Sequence, residues 1–299
     1  SGAYALTLKA ERPQMQVCAC DISPAALAVA RQNAAKYQLD ITFFAGDLLA
    51  ALPPPDKQQY DLIVSNPPYI ENDADLPQDV RQEPALALFG GVDGLDFYRR
   101  LLAESPDSSV VVVSVGFSTN LGRLLESRGD RYSPLDGIEL VKRKVKFCSV
   151  MGGSFGDKPR AEYNIVNDIS NAKRLFALCP VPVAVVSLEL GKTVNYPGAS
   201  IETDFAWAGK HPMVEGYKAY RKMPYDRPTW DMMSVLYVLR PEMFGVSEPG
   251  IICVDDQGYT YFTPTPRGKH TVLTLTPGQQ DAVLRFFVRE LSSKPAKYR

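Results

Sequence analysis

The chain has 299 residues, 45% hydrophobic and 22% charged, enough for one large or two modest domains with a real core. Its 33 Lys and Arg meet 34 Asp and Glu, so a net charge of −1 gives no electrostatic case for nucleic acid or an anionic membrane as the main partner. No apolar stretch approaches the ~20 residues of a membrane span, no signal peptide opens the chain, and five scattered cysteines suit reduced thiols in a cytoplasmic setting better than a disulfide frame or a zinc site.

In chain order, AYALTLKAERP reads as a helix stopped at Pro13, and QVCACDI as a short apolar strand. SPAALAVARQNAAKYQL is a helix with Ser23 as N-cap and Pro24 in its first turn. ITFFAGDLL and YDLIVSN are further strands, joined by the proline-stiffened loop ALPPPDKQQ. GLDFYRRLLAES (helix), SVVVVSVGF (strand) and TNLGRLLESR (helix) follow. The basic run VKRKVK, residues 141–146, alternates with valine and reads as the wet face of a strand entry leading into VKFCSVMGG. DISNAKRLFALC is a helix with Asp168 as its cap, and VPVAVVSLEL a strand. Helical segments around VEGYKAYRK and TWDMMSVLYVLRP precede the short strands GIICVDDQGYTYFTP and HTVLTLT. A last helix, PGQQDAVLRFFVREL, leads to a basic tail. Apolar strands alternating with helices predict an α/β fold, a mainly parallel sheet flanked by helices.

Two groups of residues carry chemistry. In YDLIVSNPPYI an apolar run stops at Asn66, and two prolines and a tyrosine follow. Ligands of open α/β sheets sit beyond the carboxyl ends of the strands. There the Asn66 amide can both donate and accept. Pro67 and Pro68 fix φ and remove two competing donors, which frees the Pro67 carbonyl, and Tyr69 can stack on a planar group. These residues suit a cleft that grips a planar amide by its hydrogens. Together with ERPQMQVCACDISPAALAVARQNAAKYQL, FFAGDLLAAL and QEPALALFGGVDGLDFYRRLL, the motif resembles the release-factor glutamine methyltransferases over residues 1 to about 103. The resemblance implies methyl transfer from S-adenosylmethionine to a glutamine side chain on a release-factor loop. It would place Asp21 on the cofactor ribose, Asp47 near the adenine, Gly2 at the end of the cofactor loop, and Asn66, Pro67 and Tyr69 around the amide. That family has a strand and a Gly-x-Gly-x-Gly loop before its first helix, where only Ser1 and Gly2 stand here. Cofactor affinity is therefore expected to be weak or lost.

From PDSSVVVVSVGFSTNLGRLLES onward, with AEYNIVNDISNAKRLFA, CPVPVAVVSLELG and RPTWDMMSVLYVLRP, the chain resembles the inosine-uridine-type nucleoside hydrolases. That resemblance implies cleavage of a ribonucleoside N-glycosidic bond with calcium bound to the ribose hydroxyls, in a family that leaves room for a homo-oligomer. It would make Thr119, through its carbonyl, and Asp231 metal ligands. Glu162 and Asn164, two apart on an extended segment, would point the same way and meet the ribose, and Trp230 would pack by the base. Read without the resemblance, Thr119 and Asn120 cap LGRLLES, and Asp231 caps MMSVLYVLRP. Asp73 and Asp75 read as a solvated loop, and His211 and His270 as lone, non-catalytic histidines. The Asp-rich calcium loop that opens the hydrolase family has no counterpart in this sequence, so calcium is expected to be weak or lost and catalysis impaired. The expected organisation is a methyltransferase-like part over residues 1–104 joined to a hydrolase-like part over 105–299. A catalytically silent hybrid is the third reading, beside the hydrolase-like and methyltransferase-like ones.

Overall fold

The computed structural model describes residues 2–51, 60, 62–78, 80–208 and 211–294. Most of the predicted proline-stiffened loop and most of the basic tail lie outside the described residues. The chain divides into two compact units, one of Ser1–Asn66, Thr203–Glu215 and Ser292–Arg299, the other of Pro67–Glu202 and Gly216–Leu291.

In the first unit α1 spans Ala3–Glu11 and stops before Pro13. Gly2, which precedes it, has a φ of 75° and lies so close to the next helix that a Cβ on it would stand 2.9 Å from that of Ala30. Strand β1 (Cys18–Asp21) leads to α2 (Pro24–Lys36), where Ser23 Oγ accepts the Ala26 amide at 3.3 Å and Leu27, Ala30 and Ala34 form the buried stripe. Strand β2 (Thr42–Ala45) runs parallel to β1, in register from Cys18 with Thr42 to Asp21 with Ala45.

Among the described residues of the stretch 60–66, expected as a strand, no strand forms. Leu62, Ile63 and Val64 have no regular structure and are 58%, 52% and 47% exposed. An apolar run becomes a strand where a neighbour takes up its N–H and C=O groups. Among the described residues of this unit, β1 and β2 bond only to each other.

In the second unit Ile70 makes an isolated parallel bridge with Phe89, just after the short helix α3 (Ala85–Leu88). Helix α4 (Asp96–Glu104) feeds β3 (Val110–Ser114), followed by α5 (Thr119–Glu126) and α6 (Gly137–Lys144). The basic run at 141–146 is thereby corrected: its first four residues are the end of α6. Asp136 starts that helix by accepting the Glu139 amide at 2.9 Å, and Lys142, Arg143 and Lys144 crowd its carbonyl end, where the helix dipole favours cations. Strand β4 (Val145–Met151) begins at once. Then come α7 (Tyr163–Val166), α8 (Ile169–Leu178), β5 (Val183–Val186) and α9 (Leu188–Thr193). The apolar run 181–190, expected as one strand, therefore breaks in two. Ser187 accepts the Leu190 amide at 3.1 Å and turns the chain into a helix.

The rest comprises β6 (Asn195–Tyr196), α10 (Gly198–Thr203), α11 (Pro212–Tyr220), β7 (Arg227–Pro228) and α12 (Trp230–Leu239). Strands β8 (Gly245–Val246), β9 (Gly250–Val254), β10 (Thr260–Pro264) and β11 (His270–Thr274) and helix α13 (Pro277–Ser292) end it. Seven of these strands form one sheet in the order β10-β9-β11-β5-β4-β3, with β8 beside β11. The pairs β3/β4, β4/β5 and β5/β11 are parallel, while β8, β9 and β10 make an antiparallel margin. The chain is thus α/β, a multi-strand sheet flanked by helices. Cys148 and Val150 of β4 join a core with Leu125, Val141 and Leu175 of α5, α6 and α8. On the alternate face Ser149 Oγ donates to the Ser234 carbonyl of α12 at 2.9 Å. Both faces of the sheet are covered, which is why its central strands read as continuous apolar runs.

Candidate functional site

The carboxyl end of β4 gathers the polar groups of the second unit. The strand runs out at Met151 into Gly152, Gly153 and Ser154, and the chain returns at Glu162. Glu162 is 3% exposed and caps α7. Its Oε2 accepts three amides, from Asn164 at 3.0 Å, Ile165 at 3.3 Å and Gly153 at 3.4 Å. Burial pushes the Glu162 carboxyl up from its ordinary value, against the pull of those amides. The Tyr163 amide also pulls on this carboxylate, and no side chain among the described residues donates to Oε1. Asn164 sends its Nδ2 back to the Met151 carbonyl at 3.2 Å. The expectation of an extended segment from Glu162 to Asn164 is corrected. The two residues are the cap and first turn of a helix, because a carboxylate just ahead of free amides satisfies them best in that form.

Three further residues at this strand end escaped the sequence reading. Ser154 donates its hydroxyl to Glu189 in the first turn of α9, and Glu189 also accepts the Phe155 amide at 3.2 Å. Burial pushes the Glu189 carboxyl up, but the Ser154 hydroxyl and the amides outweigh it and bring it down overall. Thr260 Oγ1 accepts the Ser154 amide at 2.9 Å and donates to its carbonyl at 3.1 Å, which ties β10 to the end of β4. The available signal was Ser187 ahead of LELG, a capping serine at the end of a buried strand. Glu189 spends both oxygens on holding the loop, whereas no side chain among the described residues donates to Oε1 of Glu162.

The other residues implied for the hydrolase lie elsewhere in this unit. Thr119 opens α5, so its carbonyl points along the helix ladder, and its hydroxyl donates to Asp168. Asp168 caps α8, accepting the Asn171 amide at 3.2 Å, as expected. Trp230 is half-buried. It donates its indole N–H to the Leu188 carbonyl at 3.0 Å and packs on Gly191. Asp231 does not cap α12: Thr229 precedes the helix, and Asp231 is its second residue. Desolvation pushes its carboxyl up, against the pull of Arg227. Among the described residues no three His, Cys, Asp or Glu side chains converge as a metal site. The Thr119 carbonyl and Asp231 therefore do not fit calcium, which takes six to eight oxygens. His270, in β11, is buried. Its Nδ1 accepts the Ile252 amide at 2.8 Å, and burial holds its pKa down. His211, in the first unit, packs beside Phe205 and Trp207.

In the first unit Asp21 ends β1 and accepts the Ser23 amide at 2.9 Å, while Asp47 lies two residues beyond β2. The parallel pairing brings both to one end of the two-stranded sheet. The Cys20 thiol is pushed up by burial and then by the carboxylates of Asp21 and Asp47. Gly2 sits against α2. Asn66, the last residue of the unit's first segment, is exposed, and among the described residues its side chain has no partner. In the second unit Pro67 and half-exposed Tyr69 belong to a segment that runs along the turn Gly90–Gly94. A Cβ on Gly90 would lie 2.6 Å from the Pro68 carbonyl oxygen. Asp73 and Asp75 are in a loop, as expected. No helix among the described residues is long and apolar enough to cross a membrane.

Residues 1–83 match the family model of the methyltransferase small domain. The release factor glutamine methyltransferase of Deinococcus radiodurans is 50% identical over 107 residues, 35% of this chain and 37% of that protein. The ribosomal protein uL3 glutamine methyltransferase of Burkholderia pseudomallei is 38% identical over 153 residues, 47% of each. The chain thus spans between a third and a half of these relatives. Among solved structures, a plant nucleoside hydrolase aligns over 98% of this chain and 96% of its own with a TM-score of 0.54 at 16% identity. An inosine-guanosine nucleoside hydrolase aligns over 98% and 95% with a TM-score of 0.51 at 17% identity. A purine-preferring ribonucleoside hydrolase from Gardnerella vaginalis gives 0.53 over 74% and 71% at 16% identity. The sequence of the first part is similar to glutamine methyltransferases, and the fold of the chain is similar to that of nucleoside hydrolases.

Proposed function

We propose that the second unit binds the ribose of a small-molecule nucleoside at the carboxyl end of β4, without the nucleoside hydrolysis that its fold relatives' names describe. One observation carries this reading: Glu162 is held buried by three amides on one oxygen, while no side chain among the described residues donates to the other. A carboxylate so fixed suits vicinal hydroxyls, and Asn164 beside it could offer its amide oxygen. The donor set around Thr119 and Asp231 does not fit calcium. Calorimetric titration with inosine should give saturable heat. Glu162→Gln, which keeps an acceptor for the helix turn, should weaken binding by about tenfold, the scale of one hydrogen bond to a charged group. Equal affinity in wild type and variant would sink the proposal.

A second reading is favoured by the 50% identity of the first part to a glutamine methyltransferase. In it the first unit holds S-adenosylmethionine, with Gly2 close against α2, Asp21 accepting from the ribose hydroxyls and Asp47 near the base. When bound, that cofactor supplies a sulfonium methyl group already reactive toward a nucleophile. Asn66, Pro67 and Tyr69 would orient a glutamine amide of a release factor or ribosomal protein. The join between the two parts would fall near residue 104, at the end of α4. Titration with S-adenosylhomocysteine should then show binding that Asp21→Asn reduces about tenfold. Heat that this variant leaves unchanged would refute cofactor binding through Asp21. Silence toward both titrants would leave a hybrid that binds neither ligand.

A further inference from the structure

A cavity of about 530 Å³ lies in the second unit, away from the end of β4, between the second half of α8, strand β9 and the turn before β11. Its wall carries three cations, Lys173, Arg267 and Lys269, and no carboxylate is among the lining residues. Asp256, outside the lining, pairs with Lys173. Lys269 donates to the Pro180 carbonyl at 2.8 Å, which satisfies one N–H and leaves its charge uncompensated. Arg267 has no partner among the described residues. His270 adds a neutral donor: its Nδ1 accepts the Ile252 amide, so its proton is on Nε2. Phe176, whose ring stands edge-on to His270 at 5.5 Å, supplies an apolar wall with Ala177 and Ile251.

We propose that this cavity binds a small organic phosphate monoester, its phosphate on Arg267 and Lys269 and its apolar group against Phe176 and Ile251. Two uncompensated cations match a dianionic head, and a guanidinium engages two phosphate oxygens at once. The volume falls in the usual range for small-ligand sites. Inorganic phosphate would leave most of it unfilled. The carbonyl end of α8 faces this region and opposes an anion, but a helix dipole amounts to about half a charge against two whole ones.

The test is calorimetric titration of the full chain with phenyl phosphate, inorganic phosphate and phenol. Phenyl phosphate should bind saturably and more tightly than either control. Arg267→Gln should weaken it about tenfold. Lys269→Gln is the second charge-removing variant, and an unchanged melting curve checks the fold of each. Ile251→Ser should weaken phenyl phosphate while leaving inorganic phosphate unaffected. Absence of saturable binding, or affinity unmoved by both charge variants, overturns the proposal. Equal affinity for inorganic and phenyl phosphate overturns its organic part.

Discussion

Gly191 has no room for a methyl group, because a Cβ there would overlap the indole of Trp230. That contact explains Trp230 better than a base pocket does. The ring fills the gap between α9 and α12, and its N–H is already used by Leu188. Gly191→Ala should therefore destabilise the protein by about 1–3 kcal/mol through overpacking. The readout is a lower urea midpoint with unchanged slope. A midpoint equal to wild type would mean that Trp230 can swing away, and the wedge role would fall. At this scale the sequence was legible where a side chain serves its own neighbours in the chain. Ser23 and Asp168 cap helices as their positions predicted. It was illegible where a residue answers to a distant one, as with Ser154 and Glu189, 35 positions apart and joined only by the packing of β4 beside β5. Glu162 was found by resemblance to a family, and the amides that hold its carboxylate only by structure.

Elements followed their apolar periodicity wherever a partner existed to use it. The runs at 110–114 and 145–151 became neighbouring parallel strands, and their continuous apolarity signalled coverage on both faces. The run Leu62–Val64 has the same composition and stays irregular, because a strand is a property of a pair and one segment cannot announce its partner's absence. Short capped helices failed in the opposite direction. Asp136, Glu162 and Ser187 each accept one or more amides of the next turn and start α6, α7 and α9 in segments read as extended or left unassigned. Four to eight residues hold too little periodicity to reveal a helix, so the capping residue is the informative signal. The same logic relocates the basic run. Three cations at the end of a helix complement its carbonyls, and only Lys146 belongs to the strand.

The two units differ in how much structure protects their backbones. The second has a seven-stranded sheet in which all of β5 and five of the seven residues of β4 are buried. Among its described residues the first has one two-stranded sheet, no fully buried strand residue, and three exposed apolar residues at Leu62–Val64. A two-stranded sheet with a half-exposed face is marginal by itself, and local opening free energies follow buried apolar contacts. Hydrogen exchange of the intact chain should therefore find the amides of Cys18–Asp21 and Thr42–Ala45 exchanging at least ~100-fold faster than those of Cys148–Met151 and Val183–Val186. This corresponds to a gap of about 3 kcal/mol or more between sub-global and global opening. The comparison also separates the functional readings, since a ligand protects the unit whose folded form it binds. S-adenosylhomocysteine should slow exchange in β1 and β2 under the methyltransferase-like reading, and inosine should slow it around residues 152–165 under the hydrolase-like one. Equal protection of β1 and β4 without ligand would mean that the units open together. The contrast in burial would then say nothing about which part of the chain yields first.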